Sequence, residues 1–378
     1  MAWTERYCSP SGGGAHDGTS EADAWDLAEA ITNYASGHRI NVIAGTYANT
    51  TTNRTFGTAG TATSPIWWRG YNSTIGDLDD APTSQLTPGT DMPEFTWTTG
   101  RAIISSGADY QSFSSIAWDS ATTTTATVSH TGDRCFFRRC RVDNTGTTSS
   151  VHALRILGVY VHVEANHIKN TTHGDCLNLG SSGRAFIHGN FFEGGDNGVD
   201  AGDTVAVVRN IFDDPDGDAI RITDANNPCY IIGNSIYSPG GDGIELTQPP
   251  DGTFIINNIF SEVGGYAINQ SSGTDTLEIH IDGNLYHSLT SGELNGITED
   301  VQFNKQTDSS SPFTNAGSDD FTPDSGSNAR ENGMPGLFEA NGPTTYLNIG
   351  AVQHQATGGG GVVKLIGVGG GLISGADA

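Results

Sequence analysis

The sequence predicts an all-β solenoid, one chain wound into stacked coils of short strands, and three observations carry the prediction. The first is a repeat: "YIIGNSIYSPGGDGIELTQPPDGT" at 230–253 runs directly into "FIINNIFSEVGGYAINQ". Aligned on one asparagine, the pattern recurs at Asn166, Asn190, Asn210, Asn234, Asn258 and Asn284, spaced by 24, 20, 24, 24 and 26 residues, with Cys140 and Ser115 expected in the same phase upstream. A period of this length marks a repeat architecture in which each unit buries its apolar face on the next. The second observation is fixed apolar columns. Three residues before each asparagine stand Val163, Ile187, Val207, Ile231, Ile255 and Ile281, and two after it Ile168, Phe192, Phe212, Ile236, Phe260 and Tyr286. The position between strand column and asparagine varies (Glu164, His188, Val208, Ile232, Ile256, Asp282), so one face points inward and the other out. The third is a further inward column, Leu177, Val199, Ile220, Ile244 and Ile268, with Leu179, Ala201, Ile222 and Leu246 two residues on. No repeat has room for a helix.

The elements follow in order. Residues 1–105 read as an N-terminal cap with early coils, 106–300 as the solenoid, 301–357 as a loop-rich C-terminal cap and 358–378 as a glycine-rich apolar tail for assembly. Near the start, Ser20 and Asp23 offer a capping box for a short helix carrying Trp25, Leu27, Ala30, Ile31 and Tyr34, suited to plugging the open end of the solenoid. The asparagine column is expected to take the left-handed backbone of a tight bend and to bond amide to amide along the stack. The tail places Val362, Val363, Leu365, Ile366, Val368, Leu372 and Ile373 among glycines, a strip expected to order only against a partner.

Composition narrows the function. The chain has 378 residues, 17 Lys and Arg against 43 Asp and Glu, and a net charge of −26. Such a surface repels phosphate backbones, which argues against nucleic-acid binding and suits a soluble particle, a cation or an uncharged glycan. Five cysteines without a C-x-x-C spacing indicate neither a disulfide framework nor a zinc site. No apolar run approaches the length needed to span a membrane, and "MAWTERYCSPSGGG" has no secretory pattern, so a reducing cytosol is the expected site of synthesis.

The columns, together with the opening "YCSPSGGGAHDGTSEADAWDLAEAI", the following "RINVIAGTY" and the closing "LNIGAVQ", resemble the right-handed parallel β-helix of the pectate-lyase-like superfamily. The resemblance covers about residues 100–300 as coils and implies an all-β right-handed parallel β-helix with capped ends. That fold serves polysaccharide lyases, hydrolases and viral spikes, so function has to be argued from the site.

Two chemistries are open on the coils. The outward position of the third strand reads Asn178, Asp200, Arg221, Glu245 and Asn269. Two coils apart, Asp200 and Glu245 stand roughly 9–10 Å from each other at the backbone, near the separation of carboxyls in inverting glycosidases. Arg221 between them suits a uronate carboxylate. A plain charge ladder would look the same. The lyase alternative needs a base and a neutralising cation, and only Lys169 and Arg184, with His173 or His188, offer them. Asp175, Asp218 and Asp242 precede the third strand, and "DDPDGD" adds Asp213, Asp214 and Asp216; turn chemistry explains them first, no cofactor is required, and calcium is the metal such oxygens would take. Trp67, Trp68 and Tyr71 in "IWWRGY" are the candidates for stacking on a sugar, with only one of the two tryptophans able to face outward.

Two readings follow. One is a bacteriophage virion component (tail spike, fibre or head-decoration protein), made in the host cytoplasm, binding a host glycan and held as a homotrimer or on another virion protein through residues 358–378. Its alternative is a secreted, extracellular polysaccharide lyase or glycoside hydrolase acting on an acidic polysaccharide. A filament-forming surface adhesin is a third class.

Overall fold

Val163, Ile187, Val207, Ile231, Ile255 and Ile281 are fully buried, and they set the architecture. In the computed structural model they stack coil on coil, Ile231 in register with Ile255 and Ile255 with Ile281. The structure describes residues 3–352 except 49–52, 99, 106, 122–125, 149, 172, 181–183, 203, 224–227, 249–251, 273–278, 298–301, 331 and 334–348. The tail 358–378, on which the assembly expectation rests, lies outside the described residues.

Each coil contributes one strand to each of three parallel sheets. Among the described residues sheet 1 has 12 strands, sheet 2 has 11 and sheet 3 has 10, the coils at the two ends being partial. One coil illustrates the path: Val161–Glu164 in sheet 1, His167–Asn170 in sheet 2, Leu177–Asn178 in sheet 3, then Ala185–His188 back in sheet 1. The inward columns read from the sequence all reach the core, where Phe192 stacks on Phe212 at 5.0 Å and Phe260 on Tyr286 at 5.5 Å. The five cysteines are buried thiols; Cys140 fills an inward position, and burial pushes its thiol up to about 12.

The asparagines form the ladder. Asn166, Asn190, Asn210 and Asn234 each send Nδ2 to the Oδ1 of the next asparagine at 2.9–3.1 Å, and the same Oδ1 accepts the preceding backbone N–H. Two expectations about this turn are corrected. The left-handed residue is the one before the asparagine (Ala165, Gly189, Arg209, Gly233, Asn257, Gly283), because the bend must finish before the amide can turn inward. Ser115 takes that left-handed position too, so Ile116, which precedes Ala117 as Cys140 precedes Arg141, holds the ladder phase.

The N-terminal helix spans Leu27–Asn33 and is capped by Asp26 with Glu29, a capping box six residues later than the expected Ser20 and Asp23. Ser20 and Asp23 bond each other in the turn before it. Trp25, Leu27, Ala30 and Tyr34 join the main core. Toward the other end, Phe313, Ala316, Phe321, Ala329, Ile349 and Val352 cover the outward Ile211, Ile259 and Leu285 of sheet 2. Leu78 and Met92 cover Ala117 on the same sheet.

Candidate functional site

On sheet 3 the outward row is set by strand pairing. Asn178 is in register with Asp200, Asp200 with Arg221, Arg221 with Glu245 and Glu245 with Asn269. The expected stripe is therefore continuous. Arg221 Nε stands 3.2 Å from Glu245 Oε2, with the arginine side chain 40% exposed and the glutamate 19%. Pairing extends the row by Arg155, opposite Asn178, a residue the sequence reading missed because its coil lacks the asparagine mark that set the phase of the later ones.

A second row flanks the stripe on the turn leading into the sheet. Asp175 Oδ1 accepts from Asn197, Asn197 Oδ1 from Asp218 N, Asp218 Oδ1 from Asp242 N and Asp242 Oδ1 from Tyr266 N, at 2.6–3.0 Å. Turn chemistry thus engages one oxygen of each of these aspartates. The outer oxygens reach the stripe: Asn178 Nδ2 donates to Asp175 and, at 3.3 Å, to Asp200, while Asn269 Nδ2 donates to Asp242 at 2.6 Å. Among the described residues no group of three or more His, Cys, Asp or Glu is arranged to hold a metal ion.

Burial and crowding separate these carboxyls. Burial pushes Asp200 up to about 6, helped by the Asp175 charge and opposed by Arg221. Asp218 is raised by burial and by the neighbouring Glu245 and Asp242 carboxyls. Burial also acts on Asp175, but hydrogen bonds from His152, Asn197 and Asn178 outweigh it and hold that carboxyl low. The face therefore sets carboxyls raised above the usual range, Asp200 and Asp218, beside one held below it, Asp175, the kind of split that acid–base chemistry uses.

The lyase candidates are not brought together. Lys169 lies on sheet 2, paired with Glu193, which also holds His167 at 3.0 Å; these partners keep the Glu193 carboxyl down at about 2. Arg184 lies at the turn entering sheet 1, its Nη1 3.2 Å from the Tyr160 hydroxyl. His173 faces Asp216 at 3.3 Å, and His188 is buried on sheet 1. Asp213, on sheet 2, is raised to about 7 by burial, then by Asp319 and Glu193.

Of the sugar-stacking candidates only Trp67 faces out. Its Nε1 donates to Ser114 Oγ at 2.8 Å, and Arg39 and Arg69 stand 5.5 and 5.1 Å from its ring. Trp68 is fully buried between Tyr34, Phe56 and Phe113, and Tyr71 is buried with its hydroxyl on Glu21. Neither leaves a ring face for a ligand, because the strand alternation turns Trp68 into the core and the N-terminal turn closes over Tyr71.

Comparison with known proteins agrees with this architecture. Residues 112–260 match the family described as "Right handed beta helix region". No curated protein matches the sequence. Among solved structures, pectate lyase Pel9A is 13% identical, covering 94% of this chain and 98% of its own, with a TM-score of 0.56. A rhamnogalacturonan lyase is 12% identical over 82% of this chain and 90% of its own, at 0.54. Geobacillus virus E2 ORF18 is 14% identical over 74% of this chain and 55% of its own, at 0.49. Likeness at such identity speaks to the fold, and by its stacked columns, asparagine ladder and three parallel sheets this chain is a right-handed parallel β-helix.

Proposed function

We propose that this protein engages an acidic polysaccharide along the outward face of sheet 3 and hydrolyses it by general acid–base catalysis. The observation that carries the reading is the in-register Asp200–Arg221–Glu245 row with Asp218 beside it. Asp200, with its carboxyl raised to about 6, is the group that delivers a proton to the leaving oxygen. Glu245, ion-paired to Arg221, is the carboxylate that activates a water two coils away, a distance that leaves room for that water. Arg155 and Arg221 supply the positive charge a uronate needs. In this reading Asp200→Asn and Glu245→Gln each lower kcat on polygalacturonate by about 10²–10⁴-fold, and activity falls as pH rises past about 6, where Asp200 loses its proton. Products carry new reducing ends without unsaturated termini. Unsaturated products that vanish in Lys169→Ala reverse the assignment to a lyase.

A second reading concerns location, and the composition of 358–378 supports it. Seven aliphatic residues stand there beside a single lysine and a single aspartate. We infer that this segment docks the β-helix onto a neighbouring subunit, as a homotrimer, or onto another virion protein of a bacteriophage, in place of free secretion. Sedimentation checks it: removing 358–378 leaves the thermal transition in place and converts the assembly to a monomer. A full-length monomer refutes it.

A further inference from the structure

Sheet 1 is close to charge-balanced along its strands, and three of its arginines are ion-paired, Arg39 to Glu5, Arg69 to Asp79 and Arg138 to Glu164. Its strands carry Arg6, Arg39, Arg69 and Arg138 against Glu5, Glu164 and Asp282, in a chain with a net charge of −26. Two more arginines stand on the turns entering it. Arg134 lies over the rings of Tyr110 and Tyr160 at 5.4 and 5.2 Å, and Arg184 over Tyr160 at 5.6 Å. Tyr110, Arg134 and Tyr160 share a left-handed backbone conformation at successive coils, so guanidinium and ring alternate along one corner. Arg134 and Arg184 are exposed, and among the described residues neither has a carboxylate within ion-pair distance. Asp109 and Asp133 on the same turns are tied instead to backbone N–H groups of the next coil.

Aromatic rings line the strand face beside this corner. Phe136 is 43% exposed and stacks on His162 at 4.6 Å, which meets Phe186 at 5.8 Å. Farther along, Tyr230 stacks on Phe254 at 5.5 Å. At the N-terminal end the row opens into a groove of about 270 Å³ lined by Trp3, Trp67, Phe136, Arg138, Arg139 and Asp79, the last ion-paired to Arg69. A row of half-exposed rings needs an occupant. Five such rings offer roughly 400 Å², short of the ~800 Å² per partner of a stable protein interface. A second copy would also bring its own negative charge. The row is one residue wide and steps by one coil, about 4.8 Å, which suits an extended polymer lying along the axis.

We propose that sheet 1 is a second, non-catalytic glycan site that holds an anionic polysaccharide, its acidic groups on Arg134 and Arg184, which the Tyr160 ring holds in place, and its sugar faces on Phe136 and the Trp67 groove. This site is separate from the carboxyl face of sheet 3, and each stands or falls without the other. The chemistry recognised is a chain of sugars bearing carboxylates or sulfates.

Titration calorimetry with polygalacturonate, dextran sulfate and neutral dextran tests it, in the Asp200→Asn protein so that no substrate is consumed. Binding of one or both anionic polymers, weakened about tenfold or more by Arg134→Gln/Arg184→Gln with a shallower salt dependence, is the expected result. Phe136→Ala/Tyr160→Ala weakens the same binding, and neutral dextran binds less than either. Which anionic polymer binds tells carboxylate from sulfate. All four positions are solvent-facing, so unchanged thermal unfolding checks the fold of each variant. The proposal is overturned if the parent binds neither anionic polymer, or if the arginine variant binds them as the parent does. It is also overturned if the aromatic variant dissolves an oligomer without changing polysaccharide affinity, which would make the face a contact between copies.

Discussion

Asn234 shows how much a single residue carries in this fold. Its Oδ1 accepts from the backbone N and the Nδ2 of Asn210, and its Nδ2 donates to Val207 O and Asn258 Oδ1, all at 2.9–3.1 Å and all out of water. The amide is satisfied on every side. Leucine in its place fits the volume but takes away the partner of the Asn210 backbone N–H and the amide bond to Val207 O. Asn210 Nδ2 keeps Ile187 O, and Asn258 Oδ1 keeps the backbone N–H of residue 234. Each buried group left unpaired costs about 1–3 kcal/mol. Asn234→Leu is therefore expected to destabilise the protein by about 3 kcal/mol, read as a lower midpoint in urea. Unchanged stability would mean that water replaces the ladder and that the buried amides are incidental. Cys140 marks the ladder's end: its backbone N–H donates to Asn166 Oδ1, and its own thiol faces carbonyls instead.

At the level of elements, the strands and the sheet-1-to-sheet-2 turn were legible because one pattern repeats in every coil. The turn's internal division of labour was not. Tolerance for left-handed backbone suggested the ladder asparagine for the bend, yet the bend uses the residue before it. That residue is Gly189, Gly233 and Gly283 without a Cβ penalty and Ala165, Arg209 and Asn257 in the other coils, while the ladder asparagine's side chain is needed inside. Ser115 and Ile116 could not be told apart by spacing, since either fits a coil that varies from 20 to 26 residues. The N-terminal helix was found with the wrong cap. Both Ser20/Asp23 and Asp26/Glu29 have the three-residue spacing of a capping box, and only the position of the first helical turn decides between them.

The whole molecule carries more acid than its fold can hold fully ionised. Asp200, raised to about 6, and Asp213, raised to about 7, bind protons in the folded state that the unfolded chain releases. Their contribution to stability is complete below the unfolded carboxyl range and is lost as pH rises through 6 and 7. Glu193, held down at about 2, acts oppositely and supports the fold until pH falls through that value. Thermal stability is thus expected to be higher near pH 5 than at pH 8, and Asp213→Asn should flatten that slope. Calorimetric melting at the two pH values decides, and a melting temperature that rises toward pH 8 refutes the assignment. The carboxyl ladder lies against sheet 3, where Arg155 and Arg221 stand among the acids, while Arg134 and Arg184 stand on the turns entering sheet 1.

By itself the sequence determined the coil, the three strand columns and the Asp200–Arg221–Glu245 row, because burial leaves inward positions few residue choices and strand alternation then fixes what points out. Only the tertiary structure decided which outward groups meet. Asp218 beside Glu245, Arg155 opposite Asn178, Lys169 held by Glu193 away from Arg184, and Arg134 between Tyr110 and Tyr160 all depend on how turns of unequal length align successive coils. No local preference encodes that alignment: it is set by the stacking of the buried columns, and the surface residues are carried into place by it.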